Sequence, residues 1–147
     1  RVRAKAEAEH NLAKKENAEA SAKWLSKIEK KDGVQKTESG LLYRIDREGD
    51  GAQATLDTDV VLVNYEGKTR DGKVFDSSYE RGEPISFPLN GVIKGWTEGM
   101  KLVKAGGQIT LWIPSELAYG ENGAGSDIGP NEALEFKVEL LEVNPEE

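Results

Sequence analysis

Three short segments hold the side chains whose types and spacing could do chemistry: Val74-Phe75-Asp76-Ser77-Ser78, Gly91-Val92-Ile93-Lys94-Gly95-Trp96 and Ala118-Tyr119-Gly120. They set aromatic and aliphatic groups beside one carboxylate and one phenol. Ser77 and Ser78 have no histidine near them in sequence, so neither reads as an activated nucleophile. The inventory suits a pocket that grips an apolar ring and strips water from an amide. Each residue also has a simpler role. Phe75, Trp96, Trp112 and Phe136 could be plain core residues, Asp76 a turn or capping acid, and Tyr119 a buried ring with a satisfied hydroxyl.

Composition removes most other chemistries. The 147 residues include no cysteine and one histidine, His10, within a charged amino-terminal segment. Disulfides, thiolate catalysis, a serine triad and a multi-histidine metal site are therefore unavailable within one chain. No calcium-loop spacing occurs, and no metal ligands or cofactor are expected. One reaction needs neither nucleophile nor metal. Rotation about an X-Pro peptide bond crosses a barrier of about 18–20 kcal/mol while making and breaking no covalent bond.

Charge is distributed unevenly. Residues 1–36 carry ten Lys/Arg against six Asp/Glu, a net +4, and residues 37–147 carry ten against twenty-one, a net −11. An acidic body is a poor match for phosphate backbones, which disfavours nucleic acid as a partner. No run approaches the roughly 20 apolar residues that span a bilayer. The start, Arg1-Val2-Arg3, lacks both Met and an apolar signal region, and reads as a chain processed or cut from a longer one.

Two regions of different grammar must position the candidate residues. From Arg3 to about Lys31 there is neither Pro nor Gly, and Ala, Glu and Lys predict one helix reaching roughly 40–45 Å, stopped near Asp32-Gly33. Trp24, Leu25 and Ile28 sit at helical spacing and could pack against a neighbour. The upper part has only an Ala stripe. It reads as a solvated strut, or alternatively as a face that meets a partner helix. Beyond Gly33 come short runs between turns. Leu41–Ile45, Val60–Tyr65, Val74-Phe75, Pro84–Leu89, Gln108–Ile113 and Leu134–Val143 are strand candidates. Only one helix, about Trp96 to Val103, fits among them. The expectation is an α+β fold, a twisted antiparallel β-sheet with one short helix against it, preceded by the long helix. Residues 1–32 are read as a charged linker helix and 33–147 as the functional domain.

The ordered set Tyr65, Val74-Phe75-Asp76-Ser77-Ser78, Gly91-Val92-Ile93-Lys94-Gly95-Trp96, Ala118-Tyr119-Gly120 and Phe136-Lys137-Val138-Glu139-Leu140 resembles the FKBP-type peptidyl-prolyl cis-trans isomerases. The resemblance covers Leu41 to Val143, about 70% of the chain. The charged helix and Tyr79-Glu80-Arg81-Gly82-Glu83-Pro84 are similar to the bacterial Mip/FkpA-like group.

That resemblance implies a sheet wrapped around a short helix with a proline pocket between them. Trp96 would form the floor under the pyrrolidine ring, and Tyr65, Phe75, Val92, Ile93, Tyr119 and Phe136 the walls. The Ile93 N–H and Tyr119 hydroxyl would bond substrate carbonyls. Asp76, oriented by Tyr65 and Arg81, would be the polar group on the wall. Ile85 stands at a place often aromatic in the family, and Ile128 lies in the flap-like loop after Tyr119. Gly129 replaces the first of two common prolines, which frees that loop, and Ala124 is small; these departures bear on substrate preference.

The implied partners are proline-containing unfolded or partly folded polypeptides and macrolide inhibitors such as rapamycin. A chaperone-like binding module with incidental catalysis is the alternative. The group includes periplasmic and cytoplasmic members, and the missing cysteines lean toward the periplasm. Its members often dimerise through an amino-terminal domain, so the full-length protein is expected to be a homodimer and this fragment a monomer.

Overall fold

The computed structural model describes residues 2–70, 72–120, 123 and 128–144, with side chains from Lys14 onward. His10, Ala124 and Asp127 fall outside the residues so described. Helix α1 (Val2–Glu29) precedes a seven-stranded antiparallel sheet. Its strands are β1 (Gln35–Lys36), β2 (Leu42–Arg47), β3 (Val60–Thr69), β4 (Val74–Ser77), β5 (Ile85–Pro88), β6 (Gln108–Ile113) and β7 (Leu134–Val143). The spatial order is β1-β2-β6-β7-β3-β4, with β5 sharing the outer edge of β3. Strands β2 to β7 fall within or beside apolar runs of the sequence, whereas β1 is a pair of exposed polar residues that the sequence did not mark; the fold class is the α+β arrangement expected.

Strand β3 is the organiser. Its ten residues alternate half-buried and buried without a break, so Val61, Val63, Tyr65 and Gly67 point inward. One edge pairs with β7 from Val61↔Val143 to Thr69↔Leu134. The other edge takes β5 at Val60–Val63 and β4 at Glu66–Lys68. That division places the two short strands end to end beside Tyr65.

Two helices lie inside the region where one was expected. α3 (Lys94–Gly99) begins two residues before Trp96 and stops four before Val103. The Ile93 carbonyl accepts from the Trp96 and Thr97 N–H groups at 2.9 and 3.1 Å, which starts the helix early. Its glycines let it lie close on the sheet. A Cβ on Gly95 would come within 2.6 Å of Ile113, and one on Gly99 within 2.7 Å of Leu111. The second helix, α2 (Ser78–Arg81), is a single turn. The Ser77 hydroxyl accepts from the Glu80 N–H at its start, and Gly82, at φ 80°, closes its end. One turn leaves no periodicity to read, which is why the sequence did not announce it.

The main core, including Val63, Met100, Leu111 and Val138, fills the space between α3 and the inner face of the sheet. On the outer face Ile28 packs with Leu42 and Trp112, flanked by Trp24, Leu25 and Val34. Both faces of β6 are thus covered, and only Gln108 of its six residues escapes full burial. The lower half of α1 therefore packs on its own chain.

Candidate active site

The cleft opens between α3, the β3–β4 side of the sheet and the segment carrying Tyr119. It encloses about 400 Å³. Trp96 is 4% exposed and lies at the base of an aromatic frame. Its indole meets Tyr65, Phe87 and Phe136 edge to face at ring distances of 5.1, 5.5 and 5.5 Å. Phe75 meets Phe136 the same way at 5.6 Å. Edge-to-face contacts are a preferred arrangement of aromatic rings, and here they join the rings that line the cleft into one cluster. Val92, Ile93 and the Gly91 backbone supply another wall.

Phe75 and Asp76 are consecutive in β4, where side chains should point to opposite faces. Both nevertheless line the cleft. The register explains this. Gly67 pairs with Asp76 and the next residue, Lys68, pairs with Val74, so Phe75 is the extra residue of a β-bulge. A bulge bends the strand and re-aims its side chains. Gly67 completes the arrangement by leaving room for two rings: a Cβ there would lie 2.7 Å from Phe136 and 2.8 Å from Phe75.

Asp76 belongs to a three-membered polar network on that wall. The Tyr65 hydroxyl donates to one carboxylate oxygen. Arg81, on the last residue of α2, donates to the other at 2.6 Å and to the Tyr65 hydroxyl at 3.2 Å. Its guanidinium also stacks over the Tyr65 ring at 5.7 Å. Burial alone would raise the Asp76 carboxyl. The hydrogen bonds from Tyr65 and Arg81, with the Arg81 charge, outweigh burial and hold it below the ordinary carboxylate range. Burial, together with the hydrogen bond to Asp76, pushes the Tyr65 phenol up.

Tyr119 stands opposite, 38% exposed at the rim. Burial and the Asp76 charge push its phenol up, so it is a neutral O–H donor at physiological pH. No described residue accepts from it. The Ile93 N–H is likewise unused among the described residues. Both residues line the cleft.

Two residues that the resemblance singled out, Ile85 and Ile128, lie outside the cleft lining. Ile85 packs half-buried against the core, and Phe87, two residues on along the same face of β5, lines the cleft in its place. Alternation puts Ile85 and Phe87 on the same face of β5, and only the fold decides which of the two reaches the cleft. Ile128 is buried in the main core, outside the cleft lining. Arg81 acts from behind the wall, through Asp76 and Tyr65. Phe87 and Gly67 are the site positions that the sequence reading missed.

An aromatic cleft with one clamped carboxylate thus lies between a wrapped antiparallel sheet and a short helix. The family model of the FKBP-type peptidyl-prolyl cis-trans isomerase matches residues 51–141. That of the domain amino-terminal to FKBP-type peptidyl-prolyl isomerase matches residues 1–45. The chain belongs to the FKBP-type peptidyl-prolyl cis-trans isomerase family.

Among curated relatives, the probable isomerase FkpA of Neisseria meningitidis serogroup B is 50% identical over 144 residues, 98% of this chain and 53% of the relative. FkpA of Escherichia coli K12 is 48% identical over 145 residues, 99% and 53% respectively. The chain thus spans about half the length of these relatives. The crystal structure of FkpA from Escherichia coli superposes with a TM-score of 0.93 at 46% identity, covering 98% of this chain and 67% of that one. A Pseudomonas syringae peptidyl-prolyl isomerase structure superposes with a TM-score of 0.82 at 34% identity, covering 88% and 94%.

Proposed function

We propose that this chain accelerates cis-trans rotation about X-Pro bonds in unfolded or partly folded polypeptides, with no covalent intermediate and no cofactor. The observation that carries the reading is the aromatic frame around Trp96, which matches a pyrrolidine ring in character and has unused donors at its rim. The prolyl ring would sit on Trp96 against Tyr65, Phe75, Phe87 and Phe136. The Ile93 N–H and Tyr119 hydroxyl would hold the carbonyls flanking the rotating amide.

The mechanism follows from amide resonance. A planar peptide carries partial negative charge on its oxygen, and twisting by a quarter turn removes the conjugation that puts it there. An apolar cleft destabilises the planar amide more than the twisted one, which is the differential effect catalysis requires. Asp76 stays ionised and clamped. Its role is to fix the wall and bias the local field, since no proton needs to move.

Residues 33–147 form the isomerase unit on this reading, and macrolides such as rapamycin would compete for the cleft. The full-length protein is read as a periplasmic homodimer, joined by a segment outside this chain, with residues 1–147 monomeric. Binding of unfolded chains without turnover is the second reading of the same cleft.

The test is a cis-trans assay on a proline peptide with and without rapamycin. The expected result is a rapamycin-sensitive rate above the uncatalysed one, lowered in Asp76→Ala while that variant stays folded. A rate equal to the uncatalysed one would remove the proposal. An active Asp76→Ala would strip Asp76 of its part in it.

A further inference from the structure

From Lys14 to Glu29, helix α1 presents one face to the rest of the molecule, and that face changes character along its length. Near its end Trp24, Leu25 and Ile28 make an apolar seam with Leu42 and Trp112. One turn and more before that, the contacts are hydrogen bonds. The Ser21 hydroxyl, 5% exposed, donates to the Asn131 carbonyl and accepts from the Ala133 N–H, both at 3.0 Å. The Asn17 amide donates to the Pro130 carbonyl at 2.8 Å, and the Asn131 amide donates back to the Lys14 carbonyl at 3.2 Å.

These bonds converge on the far end of the loop that begins at Tyr119. Asn131 adopts the left-handed conformation, φ 56°, uncommon for a residue with a side chain. Its N–H donates to the Gly120 carbonyl at 2.8 Å, which ties the end of the loop to the residue next to Tyr119. Gly129 lies directly under the helix, where a Cβ would come 3.1 Å from the Asn17 amide nitrogen. Asn17 also accepts from Arg70 at 3.2 Å, at the end of β3 on the hairpin that leads into Phe75 and Asp76. A groove of about 590 Å³ separates the helix from Pro114-Ser115-Glu116, so its grip on this region is concentrated at the base of the loop.

We propose that Ser21, supported by Asn17, is a positioning residue for the isomerase cleft: through Asn131 and Gly120 it sets the placement of Tyr119. The inference rests on the reading of Tyr119 as a substrate-holding donor. A serine buried between a carbonyl and an N–H, each on the loop, can be lost only by leaving both unpaired. The strained Asn131 conformation persists because its surroundings hold it.

The experiment compares Ser21→Ala, Tyr119→Phe, their double variant and Ile28→Val, all in the full chain. Ser21→Ala is expected to lower kcat/KM for a proline peptide by about three- to tenfold, the scale of a lost buried hydrogen bond. It should add nothing in the Tyr119→Phe background. Ile28→Val weakens the same helix seam without touching the loop, and should lower the midpoint of thermal unfolding while leaving kcat/KM unchanged. Amide exchange at Ala133 and Asn131 should quicken in Ser21→Ala but not in Ile28→Val. Should Ser21→Ala fail to fold, Asn17→Ala replaces it in the cycle.

Unchanged kcat/KM in a folded Ser21→Ala, or losses that add fully to those of Tyr119→Phe, would overturn the proposal. So would amide exchange that does not distinguish the two helix variants. A wild-type chain without isomerase activity would instead refute the cleft reading, and the positioning role with it.

Discussion

The two faces of β6 are both buried, but their covers differ in chemistry and so in what they specify. The inner face is closed by α3 and aromatic rings, and its cost of exposure is hydrophobic area. The outer face is closed by α1, with an apolar seam at one end and side-chain hydrogen bonds to backbone at the other. Apolar packing fixes a volume, while hydrogen bonds of this kind fix a register. The inner face therefore shapes the cleft, and the outer one determines which part of the helix meets which part of the loop.

The largest effect that would test this contrast is on the inner face. Phe136→Ala removes a ring that touches Tyr65, Phe75 and Trp96, and should cost about 3–5 kcal/mol. Chemical denaturation should show that loss, and the isomerase rate at a denaturant-free, fully folded condition should collapse with it. A variant that kept its activity would mean the frame is only core.

A smaller effect is expected on the outer face. Trp112 donates from its indole to Glu135 at 2.9 Å and lies beneath Arg44, whose guanidinium is 5.5 Å from its ring. Trp112→Phe keeps most of the packing and loses the bond, at about 1 kcal/mol. Denaturation should register it, whereas kcat/KM should not change. Activity falling in step with stability would show that the two faces are not separable.

The smallest effect concerns pH. In the cleft Asp76 lies below the ordinary carboxylate value and the Tyr65 and Tyr119 phenols above the ordinary phenol value. No group of the network titrates between about pH 5 and 9, so kcat/KM should be flat across that window. A bell-shaped profile would reveal titrating groups in the mechanism and sink the account in which no proton moves. Because the folded value of Asp76 is depressed, its contribution to stability is present above about pH 4 and lost as pH falls below it. Its partial exposure keeps that contribution small.

How much was legible beforehand depended on the kind of signal. Strand β3 was plain, since Val60–Tyr65 is β-branched and apolar and alternates in burial along its full length. The cleft residues were identified through their ordered motifs, and Trp96, Phe75, Tyr65, Val92, Ile93, Tyr119 and Phe136 do surround one cavity. Alternation in β5 puts Ile85 and Phe87 on one face, and the fold brings Phe87, not Ile85, to the cleft. The single-turn α2 was missed because one capped turn has no period.

The amino-acid sequence by itself determined the alternating strands, the long helix and the stock of aromatic groups without a nucleophile, because periodicity and residue chemistry are local properties. Tertiary structure decided three things. The bulge at Phe75 turned two consecutive side chains into the same cleft, through the pairing with Gly67 and Lys68. The network of Tyr65, Asp76 and Arg81 came from three separate elements meeting. The docking of Asn17 and Ser21 against the loop base was invisible in the chain, because their partners are main-chain groups that every residue carries. Only the folded path of the backbone selects which of those groups a polar helix face will meet.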